Sequence, residues 1–277
     1  MDRTDEQDNN RTWRAVLDRA LATRADASRV PTGFHELDDM IGGYGVGTLS
    51  LICGEPGVGT STLLLDTLRH TAFQRGESAL YYCADRSERA IVVQIIAAQS
   101  KVRWHTVAHG PNELDEAQSW DRAMQWSNQH QLAPLQIVAS PWLNVDALID
   151  DIEYRCRART PRLIAVDPLI GFERALRVND AVIDTARLLK AAALRLDVPI
   201  VATAGCTIAE FDPSFDTLAR VADTVLSLYR ADLHDPEDPR CGEADLTVFK
   251  SRTGRTGTFT LVSLLKYGFF AEMTPMG

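Results

Sequence analysis

The stretch Gly54-Glu55-Pro56-Gly57-Val58-Gly59-Thr60-Ser61-Thr62 decides the fold that this sequence predicts. Its spacing is that of a phosphate-binding loop, G-x-x-x-x-G-K-[ST]. In such a loop, backbone NH groups surround phosphates at a helix N-terminus, and the Ser or Thr hydroxyl holds Mg²⁺. One position departs, because Thr60 stands where a lysine would reach the β- and γ-phosphates. The loop therefore predicts an anion site without its usual cation.

The residues on both sides of the loop have the pattern that such a loop requires. Residues 48–53 are apolar enough for a buried parallel strand, and residues 63–72 continue as an apolar-rich helix. Strand, glycine loop and helix therefore occur in the required order. The alternative is an ordinary glycine-rich turn between a strand and a helix.

Strand-like and helix-like segments alternate along the rest of the chain until residue 224, after which only strands follow. This order predicts an α/β fold, with a mostly parallel twisted sheet flanked by helices and with antiparallel strands at the C-terminal end. We expect strands at residues 79–83, 135–138, 163–166, 199–203, 225–229, 246–250 and 258–264, and helices at residues 34–40, 89–99, 113–131, 145–157 and 181–196.

The length and composition suit one large α/β domain or two small ones, and we favour one domain with a short N-terminal extension. The chain has 277 residues, of which 45% are hydrophobic, enough to bury a full core. A net charge of −9 gives no global electrostatic attraction for nucleic acid, although a local basic channel would suffice. The five cysteines contain no C-x-x-C pair and the six histidines form no ligand cluster, so neither a zinc site nor a disulfide framework is predicted.

The sequence contains no signal for a membrane or for export. No apolar stretch approaches the length of about 18 residues that a membrane-spanning helix needs. The first ten residues are acidic and polar rather than a signal peptide. We therefore expect a cytoplasmic protein whose thiols stay reduced.

A second motif follows the phosphate-binding loop by about a hundred residues. The apolar run from Leu163 to Val166 ends in Asp167, the form of a strand that delivers a carboxylate to Mg²⁺ beside a phosphate-binding loop. The alternative is that Asp167 serves as a helix cap or a turn residue, since apolar strands often end in aspartate.

Several segments that follow one another along the chain match one known family together. They are Val30-Pro31-Thr32-Gly33-Phe34, Glu36-Leu37-Asp38, the loop at 54–62, and residues 81–87, 164–169, 188–203, 222–230 and 249–257. In this combination the chain resembles, from residue 30 to its C-terminus, the C-terminal ATPase domain of the DnaB-type hexameric replicative helicases. RadA and KaiC proteins share the RecA-like core and could carry the loop sequence, but the spacing of residues 250–257 favours DnaB.

The resemblance implies a RecA-like P-loop NTPase core with ATP and Mg²⁺ as cofactors. It implies single-stranded DNA and further copies of the chain, in a hexameric ring, as partners. It also implies that nucleotide contacts the whole loop and that the Ser61 hydroxyl and the Asp167 carboxylate hold the metal. The loop residues are Gly54, Glu55, Pro56, Gly57, Val58, Gly59, Thr60, Ser61 and Thr62.

In the family, a glutamate after the next strand polarises the attacking water, and the matching residue here is Asp85. Asp85 keeps the carboxylate but is about one methylene shorter, and a general base tolerates little misplacement. The alternative is that Asp85 only caps the following helix.

The resemblance also assigns a role to Lys250 and Arg252. They match the pair that reaches the ATP of a neighbouring subunit and neutralises charge on the γ-phosphoryl group, an arginine-finger arrangement. The alternative is a basic hairpin turn that faces solvent, because Thr253-Gly254 suits a turn.

Two further positions depart from the family in ways that concern DNA. The family's polar sensor, a glutamine, is Gly205 here. The central loop, which in the family carries basic residues to the DNA backbone, contains Glu210, Asp212 and Asp216 over residues 206–219 and no lysine or arginine. DNA phosphates would be repelled there, so DNA binding is in doubt.

The chain divides into an extension at residues 1–29 and the ATPase domain at residues 30–277. Apolar residues at helical spacing in residues 11–24 predict a short amphipathic helix. It resembles the family's linker helix, which packs on the adjacent subunit and closes a ring. The helix could equally fold back on its own domain.

Two main hypotheses follow. The first is a ring-forming, ATP-dependent helicase motor with weak or altered hydrolysis, and the second is a non-catalytic nucleotide-binding or assembly module of the same fold. A RadA- or KaiC-like ATPase is a third. Fast hydrolysis requires a cation in place of the missing lysine, and Arg86 and Arg255 are the candidates from their sequence positions.

Overall fold

A computed structural model describes residues 29–112, 114–172, 178–205 and 213–273 of the protein. The extended segments are β1 (Arg29–Val30), β2 (Tyr44–Gly45), β3 (Leu49–Cys53), β4 (Ala79–Cys83), β5 (Leu135–Ala139), β6 (Leu163–Asp167), β7 (Ile200–Ala204), β8 (Thr224–Tyr229), β9 (Glu243–Ser251), β10 (Gly257–Leu264) and β11 (Phe269–Glu272). The helices are α1 (His35–Ile41), α2 (Thr60–Arg69), α3 (Glu88–Ser100), α4 (Trp104–His109), α5 (Leu114–Gln129), α6 (Val145–Ala158), α7 (Val178–Leu196) and α8 (Pro213–Val221).

The central sheet has nine strands in the order β11-β10-β9-β8-β3-β7-β6-β4-β5. The strands from β8 to β5 are parallel to their neighbours, whereas β9, β10 and β11 add in antiparallel fashion. Every residue of β3, β4, β6 and β7 is buried, as expected for parallel strands that helices cover on both faces. The α/β fold with a mostly parallel sheet and C-terminal antiparallel strands is confirmed.

Two hydrophobic cores lie on the two faces of this sheet. One joins α1, α2 and α3 to the sheet through residues such as Leu37, Leu64 and Ile91. The other joins α6 and α7 through residues such as Leu148 and Leu189. Burial of these apolar side chains fixes the order of strands and helices, and with it the edge at which the loops after β3, β4, β6 and β7 meet.

The predicted strands and helices that lie within the described residues are present, with boundaries that differ by a few residues. The sequence did not predict the short elements α4, α8 and β11, nor the two-residue segments β1 and β2. The predicted helix at residues 11–24 lies outside the described residues. Among the residues described, no helix is long and apolar enough to cross a membrane.

Candidate functional site

The phosphate-binding loop keeps its backbone geometry. It leaves β3 after Cys53 and enters α2 at Thr60. Gly57 and Gly59 have φ values of 88° and 110°, a left-handed region that favours glycine. A Cβ added at Gly54 would lie 2.6 Å from Cγ1 of Val58, so a side chain does not fit there. The left-handed φ at Gly57 and Gly59 and the close contact at Gly54 therefore favour glycine at all three positions.

Thr60 brings no charge to this loop. Its Cγ2 methyl would lie 2.9 Å from a Cβ at Gly54, so the side chain is turned against the base of the loop. Pro56 and Gly57 at the tip are exposed. The loop thus offers backbone NH groups at the N-terminus of α2, but no ammonium group.

Two other parts of the chain flank the loop. His234, in the segment after β8, places Nε2 2.7 Å from Oε2 of Glu55. Phe270 of β11 lies so close that a Cβ at Gly59 would be 2.7 Å from its Cζ. The loop is thereby held between the parallel part of the sheet and its antiparallel edge.

Asp167 lies beside the loop, at the carboxyl end of β6. Its Oδ1 accepts a hydrogen bond of 2.8 Å from Oγ of Ser61, the hydroxyl predicted to share a metal with it. The same oxygen accepts a bond of 2.5 Å from Oγ1 of Thr203 on the neighbouring strand β7. The structure therefore brings Ser61 and Asp167 together, as the sequence predicts, and adds Thr203.

The other oxygen of Asp167 has two partners on the β4 side. Oδ2 accepts 2.5 Å from the hydroxyl of Tyr81 and 2.8 Å from Nη2 of Arg86. Asp167 is completely buried. Burial, followed by the charge of Asp167, raises the pKa of Tyr81 well above its usual value, so this tyrosine remains a donor.

Arg86 is held on both sides. Its Nη1 donates to Oε1 of Gln94 at 2.8 Å, and Nε2 of Gln94 donates to Oγ1 of Thr62 at 3.0 Å. Burial alone would lower the pKa of Arg86, but Tyr81 and Asp167 outweigh it and the pKa is raised. The guanidinium group is thus a fixed positive charge, connected through Asp167 to Ser61 and through Gln94 to Thr62.

The residues of the site fit a nucleotide phosphate better than they fit a metal ion. Backbone NH groups at a helix N-terminus suit an anion. An ionised carboxylate has about four lone-pair positions, and Asp167 already accepts from Ser61, Thr203, Tyr81 and Arg86. A divalent cation on Asp167 would also have to lie next to the guanidinium group. Ligand atoms of Cys83, Asp85 and Asp167 do lie within 4.8 Å of one another, close enough to hold an ion, but Arg86 lies beside both carboxylates. The residues therefore do not fit a metal bound directly to Asp167 while Arg86 is in place.

Asp85, the predicted general base, is at the mouth of the site. Its side chain is 55% exposed, with Oδ1 3.3 Å from Sγ of Cys83 and 3.9 Å from Nε of Arg86. It borders a cavity of about 560 Å³. The residue that caps α3 is Ser87, whose hydroxyl accepts from the NH of Ala90. The alternative role of Asp85 as the helix cap is therefore wrong.

Lys250 and Arg252 lie at the opposite end of the strands. Nζ of Lys250 donates at 2.6 Å to the carbonyl oxygens of Ala219 and Ala222, and Nε of Arg252 is 2.9 Å from Oδ1 of Asp223. Burial and then Arg252 lower the pKa of Lys250. Because β9 runs back beside β8, Lys250 is level with the middle of β3, and the chain reaches the level of the start of β3 at Arg252. Both side chains are bound by residues that precede β8, so they are directed away from the loop of their own chain.

The remaining predicted features are only partly within the described residues. Gly205 follows β7 at the edge of the site, and a Cβ there would meet no described atom within 4 Å. Glu210 and Asp212 of the central loop lie outside the described residues, whereas Asp216 is exposed on α8. Arg255, a candidate for the missing cation, donates instead to the carbonyl of Asp39.

Sequence reasoning missed Tyr81, Thr203 and Gln94 as parts of the site. Tyr81 and Thr203 each place a hydroxyl inside a strand that is otherwise buried and apolar. Because buried polar groups require partners, these two residues were a usable signal. Gln94 gave no comparable signal, since it lies on the helix surface between apolar residues.

Comparison with known proteins places this chain in a family. The model of the DnaB-like helicase C-terminal domain matches residues 29–207. The replicative DNA helicase DnaB of Leifsonia xyli subsp. xyli is 28% identical over 265 residues, which cover 89% of this chain and 56% of that protein. The chain thus spans little more than half of this relative's length.

Solved structures have the same fold. A DnaB-like replicative helicase, whose structure was described together with its interactions with primase, matches with a TM-score of 0.82 and 19% identity, over 94% of this chain and 67% of that one. A KaiC-like protein from Pyrococcus horikoshii matches with a TM-score of 0.64 and 16% identity, over 89% of this chain and 99% of that one. Since the family model spans well over half of the chain, the protein belongs to the DnaB-like helicase C-terminal domain family.

Proposed function

We propose that this chain binds ATP at the loop of residues 54–62, as the ATPase domain of a DnaB-type motor whose hydrolysis is slow. The family of helicase ATPases to which it belongs uses nucleotide and magnesium in general. One observation carries the proposal: the loop keeps its glycine-dependent backbone and its helix N-terminus, while Thr60 supplies no cation. The loop thus retains what binds phosphate and lacks a group that accelerates its transfer.

Electrostatics separate binding from turnover. Loss of a cation a few ångströms from the γ-phosphate, in a partly screened site, removes on the order of several kcal/mol of stabilisation. Because about 1.4 kcal/mol changes a rate tenfold, hydrolysis should fall by orders of magnitude. The backbone NH groups of the loop still bind the phosphates in the ground state.

Within this function, Asp85 is the candidate that accepts a proton from the attacking water. Its exposed carboxylate lies at the open side of the site, beside the cavity, and is not used to cap α3. The shorter side chain relative to glutamate adds to the slow rate, because a general base must lie within hydrogen-bond distance of its water.

We further propose that copies of the chain assemble into a ring, with six members as in the family it resembles. Lys250 and Arg252 face away from their own loop, so they can act on a nucleotide only if it is bound by a neighbouring copy. The extension at residues 1–29 would supply the linker helix that packs on that neighbour. Single-stranded DNA in the ring, and a cytoplasmic location, belong to the same proposal.

A second candidate function is a nucleotide-binding assembly module that does not hydrolyse ATP. It is favoured by the enclosure of Asp167, whose carboxylate is neutralised by Arg86 rather than left open. Such a module would bind nucleotide and contact neighbouring copies, but it would not act as a motor.

An ATPase assay with and without single-stranded DNA distinguishes the two. We compare the native chain with Thr60→Lys, and use Thr60→Met as a matched variant that adds length without charge. DNA-stimulated turnover of the native chain rules out the module. Binding of ATP without turnover supports the module, and a gain of at least about tenfold in Thr60→Lys alone shows that the charge was missing.

Two results contradict the proposal itself. If neither the native chain nor Thr60→Lys binds ATP in equilibrium titrations, the loop is not a nucleotide site. If light scattering gives the mass of a monomer at all concentrations, with and without ATP, the ring is wrong.

A further inference from the structure

We propose that Arg86 is a resident cation that takes the place of the divalent metal, so that this chain binds its nucleotide without Mg²⁺. The inference rests on the proposed binding of nucleotide at the loop of residues 54–62. It concerns a specificity-determining residue of that site, and it follows from the donors around Asp167.

The carboxylate of Asp167 is already surrounded by donors. Asp167 is buried, and each of its two oxygens accepts two hydrogen bonds. These four bonds use the lone-pair positions of the carboxylate. A metal ion that binds to Asp167 must first displace one of the donors, and no vacant oxygen position is left for it.

The charge of Asp167 is already balanced by Arg86. Nη2 of Arg86 lies 2.8 Å from Oδ2 of Asp167, and only 23% of the arginine side chain is exposed. A guanidinium group stays charged at every relevant pH. The pair is therefore already neutral, and a divalent cation would gain less from Asp167 and be repelled by Arg86 at short range.

Arg86 is fixed in place by its neighbours. Gln94 accepts from Nη1, and Tyr81 shares Nη2 with Asp167. Withdrawal of the guanidinium group would leave a buried carboxylate without its counter-charge, which is costly. Arg86 is thus part of the folded site rather than a surface arginine that happens to lie near it.

Arg86 is also connected to the phosphate-binding loop. Through Asp167 the arginine is joined to Ser61, and through Gln94 it is joined to Thr62. A single side chain, Asp167 or Gln94, therefore separates the guanidinium group of Arg86 from the hydroxyls of Ser61 and Thr62 at the start of α2. The Nε–H group of Arg86 is buried and makes no hydrogen bond among the described residues.

The test is the affinity of the native chain for a fluorescent ADP, measured in Mg²⁺ and in EDTA. We expect the two dissociation constants to agree within about threefold. Strengthening by Mg²⁺ of more than about threefold overturns the inference, because Arg86 then moves aside for the metal.

The matched variants are Arg86→Met and Arg89→Met. Arg89 lies three residues further on, in the first turn of α3, is exposed, and donates only to the carbonyl of Ala108 in the described structure. We expect Arg86→Met to bind ADP at least about tenfold more weakly in EDTA than in Mg²⁺, and Arg89→Met to behave like the native chain. Equal binding of Arg86→Met in both conditions contradicts the inference.

A metal titration without nucleotide separates this inference from the proposed function. Mn²⁺ binding, followed by electron paramagnetic resonance, should be absent at this site in the native chain and in Arg86→Lys, which keeps the charge. Mn²⁺ bound by the native chain and lost in Asp167→Asn overturns the inference. If ADP does not bind in any condition, the proposed function fails, while the Mn²⁺ result still decides the role of Arg86. Should Arg86→Met not fold, the native chain and Arg86→Lys decide both measurements.

Discussion

Two buried carboxylates mark the two ends of the parallel strands, and they differ in how their cations are held. Asp167, at the carboxyl end of β6, is paired with Arg86, whose side chain is 23% exposed. Asp223, just before β8, accepts from the NH of Leu49 and pairs with Lys190 and Arg252. The side chain of Arg252 is 54% exposed. The cation paired with Asp167 is largely buried, whereas one of the two cations paired with Asp223 lies at the surface.

This difference separates a charge that sets the properties of its own site from a charge that is available to another molecule. A buried pair resists the loss of either member, because the remaining charge is left without a partner. A cation that lies largely at the surface contributes less to its pair and can leave it at smaller cost, the more so where the carboxylate keeps other partners. We therefore expect Arg86 to stay paired with Asp167, whereas Arg252 can leave Asp223 for a group on a neighbouring copy.

The strongest test of this comparison is Asp167→Ala. It leaves the largely buried guanidinium group of Arg86 without its counter-charge, and it removes the acceptor of Tyr81 and Thr203. We expect the free energy of unfolding to fall by about 3–5 kcal/mol. The measurement is urea denaturation with an unchanged m-value, so that the difference reflects stability alone.

The double variant Asp167→Ala with Arg86→Met is the control. It removes both charges, so it should recover part of the loss and give a clear coupling energy between the two residues. Additive losses would mean that the pair does not interact as the structure indicates. A loss below about 1 kcal/mol for Asp167→Ala would place this pair with the exposed ones.

A third buried carboxylate, Asp66, tests whether one arginine is enough to keep such a group charged. Asp66 pairs with Arg69 and accepts 2.8 Å from the NH of Phe270. Burial raises its pKa to about 6, although Arg69 opposes the shift. Between its usual value of 3.8 and about 6, the folded protein therefore binds more protons than the unfolded chain.

The sign of the effect follows from this proton uptake. The contribution of Asp66 is fully present below about pH 4 and is lost as the pH rises through about 6, by up to roughly 3 kcal/mol. We expect the native chain to lose stability over this window relative to Asp66→Asn, in urea denaturation at a series of pH values. Parallel stability curves for the two proteins would show that Arg69 alone keeps Asp66 charged throughout this window.

The fold and the position of the site could be predicted from sequence because they depend on local patterns. Parallel strands buried on both faces give continuous apolar runs, and glycines at positive φ mark the loop. Asp167 was found as the end of such a run. The short helices α4 and α8 were missed because 6 and 9 residues give too little periodicity to distinguish a helix from a loop.

The chemistry of the site was harder to predict, because it depends on which strands are neighbours. Arg86 and Asp167 are 81 residues apart and meet only because β4 pairs with β6. The sequence suggested Arg86 and Arg255 equally as replacements for the missing cation. Only the strand order separates them, since it brings Arg86 to Asp167 and leaves Arg255 at the carbonyl of Asp39.

The smallest expected effect on stability is that of Arg252→Gln, and it sharpens the comparison most. Arg252 is more than half exposed, and Asp223 keeps Leu49 and Lys190 as partners without it. We expect a loss below about 1 kcal/mol in urea denaturation.

If Arg252 instead serves a neighbouring copy, the same variant should reduce the nucleotide-dependent increase in mass seen by light scattering. Arg240→Gln, an arginine at 45% exposure that pairs with Glu243 and Asp245, is the matched control. Equal assembly of both variants would leave Arg252 as a partner of Asp223 alone. A large loss of stability in Arg252→Gln would show that the pair of Arg252 and Asp223 resists separation as strongly as that of Arg86 and Asp167.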